Sequence, residues 1–300
     1  MILTVSLNPA VDRTCRLGTL QPGAVNRMDS AVSVAGGKAV NVTKVLRQFR
    51  MPVAAVGFLG GAGGTLIQDT LEQLGVECHF TKIAGGTRTT TNVLEENGRV
   101  TELLEPGPVI RGAELKQFIK QFTGCLDGSE LVVLSGSLPG GVPTDIYASL
   151  IKLCHMSGCQ VILDSSGEAL RQGVLAGPDL VKPNKKELEF LAGRNLDSRD
   201  EIIQAARELF NYSVGSVVVS LGSGGLFWVD REKVLFREAK RVQVVNTVGC
   251  GDTVVASLSM SLLAQEDVEM TLDKAAAMAG ANASTDENGD IPMDVYLNLL

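Results

Sequence analysis

Histidine and long apolar runs are what this sequence has least of. Only two histidines, His79 and His155, occur in 300 residues, and neither has a suggestive neighbour. Chemistry resting on imidazole is therefore not expected. The six cysteines (Cys15, Cys78, Cys125, Cys154, Cys159 and Cys250) contain no CxxC pair. They read as reduced core thiols of a cytoplasmic protein rather than as a disulfide frame or a zinc site. The apolar stretch Val254 to Ala264 contains three serines and is too short to span a bilayer. "MILTVSLNPAVDR" at the start has no basic n-region, and Asn8-Pro9 stops its apolar run, so no secretory signal is expected. No basic block stands out: 27 Lys and Arg face 34 Asp and Glu, for a net charge of −7. Nucleic acid and membrane are thereby set aside as partners, and a polar substrate must be met by a few placed cations.

Hydrophobic residues make up 45% of the chain, enough for one large α/β domain or two ordinary ones. With no linker or internal repeat, residues 1–300 are taken as one domain. Short β-branched runs at 2–7, 53–60, 131–136, 160–166, 179–184 and 216–222 alternate with helical patterns. The helices are expected near 37–50, 62–75, 112–123, 144–157, 199–210, 251–265 and 271–285. The runs are continuously apolar, so both faces of each strand are covered. Such alternation predicts a doubly wound, mostly parallel sheet flanked by helices, with 224–239 adding an antiparallel edge. Residues 13–35 and 86–105 break the pattern. The second reads as a hairpin, with Asn97-Gly98 as a two-residue turn. Together they predict a small β-sheet lid over one end of the main sheet.

In an open parallel sheet, ligands bind beyond the carboxyl ends of the strands, where this sequence is rich in Gly, Asn, Asp and Ser. Turn chemistry alone accounts for about half of that enrichment. No GxxxxGK[ST] occurs, and "VGFLGGAGG" lacks GxGxxG spacing, so a P-loop and a dinucleotide fingerprint are both excluded. "LSGSLPG" lacks the GxSxG of a nucleophile elbow. What remains is Gly249-Cys250-Gly251-Asp252 before an apolar run. Glycines allow a tight turn, and unpaired amides at a helix entrance gather negative charge. Asp252 beside them is placed to take a proton from a hydroxyl attacking a bound phosphate. Its alternative is an ordinary first-turn acid.

"NTVGCGDT" (246–253) resembles the C-terminal signature of the ribokinase-like (PfkB) carbohydrate kinases, usually written with GAGD, and "AGGKAVNVTKVL" (35–46) resembles their N-terminal one. "LNPAVD" (7–12), "NR" (26–27), "TR" (87–88), "SGSLP" (135–139), "LDSSG" (163–167), "KPNKKEL" (182–188) and "VVSLGSGG" (218–225) follow in the family's order. The resemblance thus spans nearly the whole chain. "LNPAVD" and the arginine of "TR" are most similar to the branch acting on ketohexose phosphates.

The resemblance implies roles residue by residue. Asp252 is the catalytic base, with the amides of Gly249, Cys250 and Gly251 as the anion hole. Cys250 departs from the usual Ala, as a thiol open to reagents or as a small buried hydrophobe. Asn184 and Glu187, with Asp164, serve a magnesium-water network, and Lys182 the nucleotide phosphates. For Glu187, first-turn capping is an equal account. Ser220, Gly222 and Gly225 approach the nucleotide; Asn282 lines the adenine or is a plain helix-surface amide. On the sugar side stand Asp12, Gly37, Lys38 and Asn41. Arg27, Arg88 and Ser137 meet the acceptor's own phosphate, where a forked guanidinium suits the geometry. ATP and Mg2+ are the implied cofactors, with K+ left open, and a homodimer through the lid is the implied assembly. The implied acceptors are, in order, fructose 1-phosphate, tagatose 6-phosphate and fructose 6-phosphate. Rivals are a nucleoside or free-sugar kinase, which needs neither arginine, and a sugar-phosphate-binding regulatory protein with a dead site.

Overall fold

A computed structural model describes residues 1–300. The first part of the chain forms β1 (Ile2–Ser6), β2 (Ala10–Leu17), β3 (Ser30–Gly36), α1 (Lys38–Gln48), β4 (Val53–Leu59), α2 (Gly61–Gln73) and β5 (Glu77–Lys82). There follow β6 (Arg88–Glu95), β7 (Val100–Leu104), α3 (Gly112–Leu126), β8 (Leu131–Ser135), α4 (Ile146–Met156), β9 (Gln160–Asp164) and α5 (Gly167–Val174). The remainder gives β10 (Leu180–Val181), α6 (Lys185–Ala192), α7 (Arg199–Glu208), β11 (Ser216–Ser220), β12 (Leu226–Val229), β13 (Val234–Arg237), α8 (Cys250–Leu263), α9 (Val268–Ala283) and α10 (Met293–Leu299).

Nine strands make the main sheet, in the order β13-β12-β11-β10-β9-β8-β1-β4-β5. Every pairing from β5 to β11 is parallel, and β12 and β13 close the edge antiparallel. Alternate residues of one strand enter two separate cores. Val132 and Leu134 of β8 join one cluster, and Leu131 and Val133 join the other. Helices on both faces therefore need apolar side chains on both faces, which is why the runs do not alternate.

The second sheet is small, ordered β3-β2-β6-β7. Its β2 and β6 run parallel, Ala10 opposite Arg88, so the lid joins two hairpins from distant parts of the chain. It begins earlier than expected, at Ala10, and β3 runs on to Gly36. The expected two-residue turn is in fact a three-residue loop. Glu95 N–H donates to Arg99 O at 3.0 Å around Glu96-Asn97-Gly98, with Gly98 at φ 81°.

Other departures have local causes. The strand expected over 179–184 is two residues long, because Pro183 has no N–H for a ladder and Asn184 already caps α6. β5, α5 and α10 were not anticipated, and of α6 only the entrance at Asn184 and Glu187 was. Each is short, and β5 at the sheet edge is only half buried. No helix is long and apolar enough to cross a membrane.

Candidate active site

The crevice lies beyond the carboxyl ends of β1, β8, β9 and β10, where the lid also attaches. At its base is one carboxylate between two ammonium groups. Asp164, the last residue of β9, is fully buried, with Lys38 Nζ at 3.0 Å and Lys182 Nζ at 3.3 Å. Ser135 Oγ at the end of β8 donates to it at 3.3 Å. Burial alone would raise the Asp164 pKa; the two lysines outweigh it and hold the carboxyl below its usual value. Burial likewise opposes the Lys38 charge, yet Asp164, Glu187 and Asp252 keep its pKa above normal.

Asp252 occupies the first turn of α8, whose N-cap Gly249 has φ 86°. That left-handed turn is where glycine is needed, and a Cβ there would also lie 3.3 Å from Asn282 Oδ1 and 3.4 Å from Asn288 Cβ. The N–H groups of Gly249 and Gly251 find no acceptor in the protein, whereas Cys250 N–H turns back to Thr247 O at 3.4 Å. Two free donors at a helix entrance fit an anion. Asp252 is 6% exposed and accepts from Asn41 Nδ2 at 2.8 Å. Burial chiefly raises its pKa to about 7; Asp164 adds to the rise, and Lys38, Asn41 and Lys182 restrain it. A carboxylate poised near neutrality suits a general base. The Asn41 Oδ1 is buried without a partner.

On the lid side, Asp12 is buried, takes a hydrogen bond from Thr90 Oγ1, and lies so close to Gly36 that no Cβ fits there. Gly37 caps α1 at φ 93° and lets Lys38 and Asn41 start that helix facing the crevice. Arg88 is held by carbonyls: Nε to Asn8 O at 3.3 Å and Nη1 to Glu105 O at 2.8 Å. Its Nη2 lies 3.5 Å from Ser137 Oγ. No carboxylate pairs with it, so the guanidinium retains capacity for an anion. Arg27 stands exposed between β2 and β3 and joins none of these bonds.

Asn184 and Glu187 cap one another across the start of α6, with bonds of 2.8 and 2.9 Å. That engages Glu187 Oε2; Oε1 remains, 3.9 Å from Lys38 Nζ. The acids present do not make a three-ligand cluster. A magnesium ion that keeps its waters and leans on nucleotide phosphates needs no more than one or two carboxylates, so the set fits such an ion. Ser220 bridges to Asn184 at the end of β11. Gly225 has φ 99° and lies against Arg237 O with no room for a Cβ, which ties it to the β12–β13 edge; Gly222 is open. Asn282 is buried, donating to Val248 O at 2.9 Å and accepting from Gly289 N–H at 2.9 Å. The Cys250 thiol is pushed up by burial and faces Ala279 O.

Three further asparagines belong to the site. Asn8 joins Ser137 Oγ (3.1 Å) to Pro106 O (3.2 Å) and so braces the Arg88 pocket. Its place after β1 and before Pro9 was the available signal. Asn246 opens the NTVGCGDT stretch, which was read for its glycines and acid alone; Asn288 carried no signal.

The model of the pfkB family of carbohydrate kinases matches residues 5–292. A tagatose-6-phosphate kinase of Staphylococcus epidermidis is 37% identical over 300 residues, covering 99% of this chain and 96% of the relative. Phosphofructokinase-2 from Escherichia coli, solved with substrates and products, superposes with a TM-score of 0.91 at 30% identity, covering 99% of each chain. A Thermotoga maritima chain described as a possible 1-phosphofructokinase gives 0.89 at 25% identity, over 99% of this chain and 96% of that one.

Proposed function

The chain belongs to the pfkB family of carbohydrate kinases, and from that premise we propose that it phosphorylates the free primary hydroxyl of a ketohexose monophosphate with ATP. The observation that carries this is the pairing of a base poised near pH 7, Asp252, with an arginine that lacks a carboxylate partner, Arg88. A free-sugar or nucleoside kinase has no use for the second of these.

Asp252 takes the proton of the acceptor hydroxyl as its oxygen bonds to the terminal phosphorus of ATP. The bond from that phosphorus to the ADP oxygen breaks, and the amides of Gly249 and Gly251 receive charge gathering on the transferred group. Lys38 and Lys182, held by Asp164, keep positive charge beside that path. Glu187 and Asp164 would hold a magnesium ion through water, and that ion would supply neutralising charge to the nucleotide phosphates. Arg88, Ser137 and Asn8 fix the acceptor's phosphate, which orients the opposite end of the sugar toward Asp252.

Among acceptors, tagatose 6-phosphate ranks first in this reading, ahead of the fructose 1-phosphate favoured by the motifs alone. The 37% relatives named for tagatose 6-phosphate support that order. Initial rates with Mg-ATP and each of tagatose 6-phosphate, fructose 6-phosphate and fructose 1-phosphate, in K+ and in Na+ buffer, test it. The largest kcat/KM is expected for tagatose 6-phosphate. A preference for fructose 1-phosphate reverses the order, and activity on none of them removes the reading.

The lid argues for a second subunit. Register puts Val32, Val100 and Leu104 on the face that also carries Asp12, and they are 57%, 40% and 63% exposed. A small sheet whose outer strands leave apolar side chains uncovered is stabilised by pairing with a copy of itself. Arg27, at the lid's edge, would then reach the neighbouring crevice. Light scattering is expected to give at least a dimer; a fully active monomer removes this part.

A further inference from the structure

Asn288 lies in the segment between α9 and α10 and is 2% exposed. Its Nδ2 donates to Asp12 Oδ2 at 3.1 Å, and its Oδ1 accepts from Asn246 Nδ2 at 2.9 Å. Asn246 in turn accepts from Val248 N–H at 3.0 Å. The direction of this chain is fixed by chemistry. An ionised carboxylate only accepts, so Asp12 demands the NH2 end of Asn288. The oxygen of Asn288 must then face Asn246, which offers its own NH2 and turns its oxygen to Val248. One acid on the lid thereby orients two buried amides and the N–H of Val248, the residue before Gly249.

A second strut closes the ring. Asn282 holds the carbonyl of Val248 and the N–H of Gly289, next to Asn288. Lys44 Nζ donates to Asn288 O at 2.7 Å, so the segment is fixed by its backbone as well. The peptide of Val248 is gripped on both sides by residues tied to Asn288 and its neighbour.

We infer that Asn288 is a positioning residue that couples the sugar side of the crevice to the anion hole. When a sugar hydroxyl binds Asp12 and settles the lid strand, the Asp12–Asn288–Asn246 relay holds the Gly249 turn in its receiving geometry. Phosphoryl transfer to water is thereby disfavoured until the acceptor is in place. The inference rests on the reading of Asp12 as a sugar-binding group.

Hydrogen-exchange mass spectrometry on the intact protein, without nucleotide, tests it with each of the three ketohexose phosphates, and calorimetry in the same solutions records binding. In the unmodified protein, bound sugar phosphate is expected to slow exchange across 246–252. In Asn288→Asp, which keeps the acceptor for Asn246 but sets a second carboxylate against Asp12, that slowing is lost. The same variant loses kcat on the order of tenfold with the KM for ATP unchanged. Asn288→Ala serves as the uncharged second variant. Binding without slowing in the unmodified protein overturns the relay alone, as does slowing that persists in a folded variant or a variant that loses thermal stability but keeps kcat. Absence of binding by all three sugar phosphates overturns the site reading and the relay together.

Discussion

Asn41 donates its amide to Asp252 at 2.8 Å from the first turn of the facing helix α1, the same turn that sends Lys38 to Asp164. The base and its charge environment are thus set by one helix start. If Asp252 takes the proton, Asp252→Asn should lower kcat about 10²- to 10⁴-fold with little change in either KM. The kcat/KM profile of the unmodified enzyme should rise through a limb near pH 7, where the carboxyl ionises. A flat profile between pH 6 and 8 would count against the assignment.

The same shift has a stability consequence. The Asp252 pKa is raised from 3.8 to about 7, chiefly by burial, so the folded state holds this proton more tightly than the unfolded chain does. Its favourable contribution is complete below pH 3.8 and is lost as pH climbs through 7. Asp252→Asn, which never ionises, should therefore melt above the unmodified protein at pH 8, with the gap closing as the buffer is taken toward pH 4. A gap that widens on acidification would show the sign to be wrong.

Arg88→Ala removes a charged donor set from the acceptor pocket. Hydrogen bonds to charged groups are worth about 1.5–3 kcal/mol, or about 10- to 100-fold in kcat/KM for the sugar phosphate. The KM for ATP should stay put. Steady-state rates with the two substrates varied in turn separate these effects.

Asp164→Ala leaves Lys182, whose side chain is 4% exposed, without its carboxylate. Breaking a buried pair from one side costs about 3–5 kcal/mol, read as a shift in the urea midpoint. The exposed Arg194–Glu208 pair provides the contrast, and Arg194→Ala should change stability by no more than about 1 kcal/mol.

Cys250 stands where the family usually has alanine, and burial raises its thiol pKa. Thiolate is the reactive form, so iodoacetamide at pH 7.5 should leave activity intact over the time that exposed thiols are labelled. Cys250→Ala should retain activity within about twofold, since it removes little more than a small buried side chain. Rapid inactivation with label on Cys250 would restore the thiol as a sensitive point.

Much of this was visible in the chain itself. The central strands announced themselves because β-branched runs of five to seven residues serve two cores at once. The lid was recognisable from its alternation and from Asn97-Gly98. Its parallel seam was not, since Asp12 and Thr90 are 78 residues apart and local pattern says nothing of such a partner. The helix entrance at Gly249 was legible because glycine spacing and an acid together carry chemistry. Asn288 was not, since it stands in no motif and meets Asp12 across 276 residues; Asn246 opens the NTVGCGDT stretch, yet no role for its side chain followed from that. The capping box of Asn184 and Glu187 was only half read, because spacing shows that two residues can meet without showing whether each other or a ligand occupies them.

The contact between Asp12 and Asn288 also bears on biosynthesis. Its two halves leave the ribosome 276 residues apart, and the lid acid waits through that interval for the amide that orients it. A nascent chain can lay down the parallel strands in turn, yet its catalytic turn stays unbraced until the segment after α9 emerges. Ribosome-bound chains stalled before Asn288 should accordingly be compact but idle.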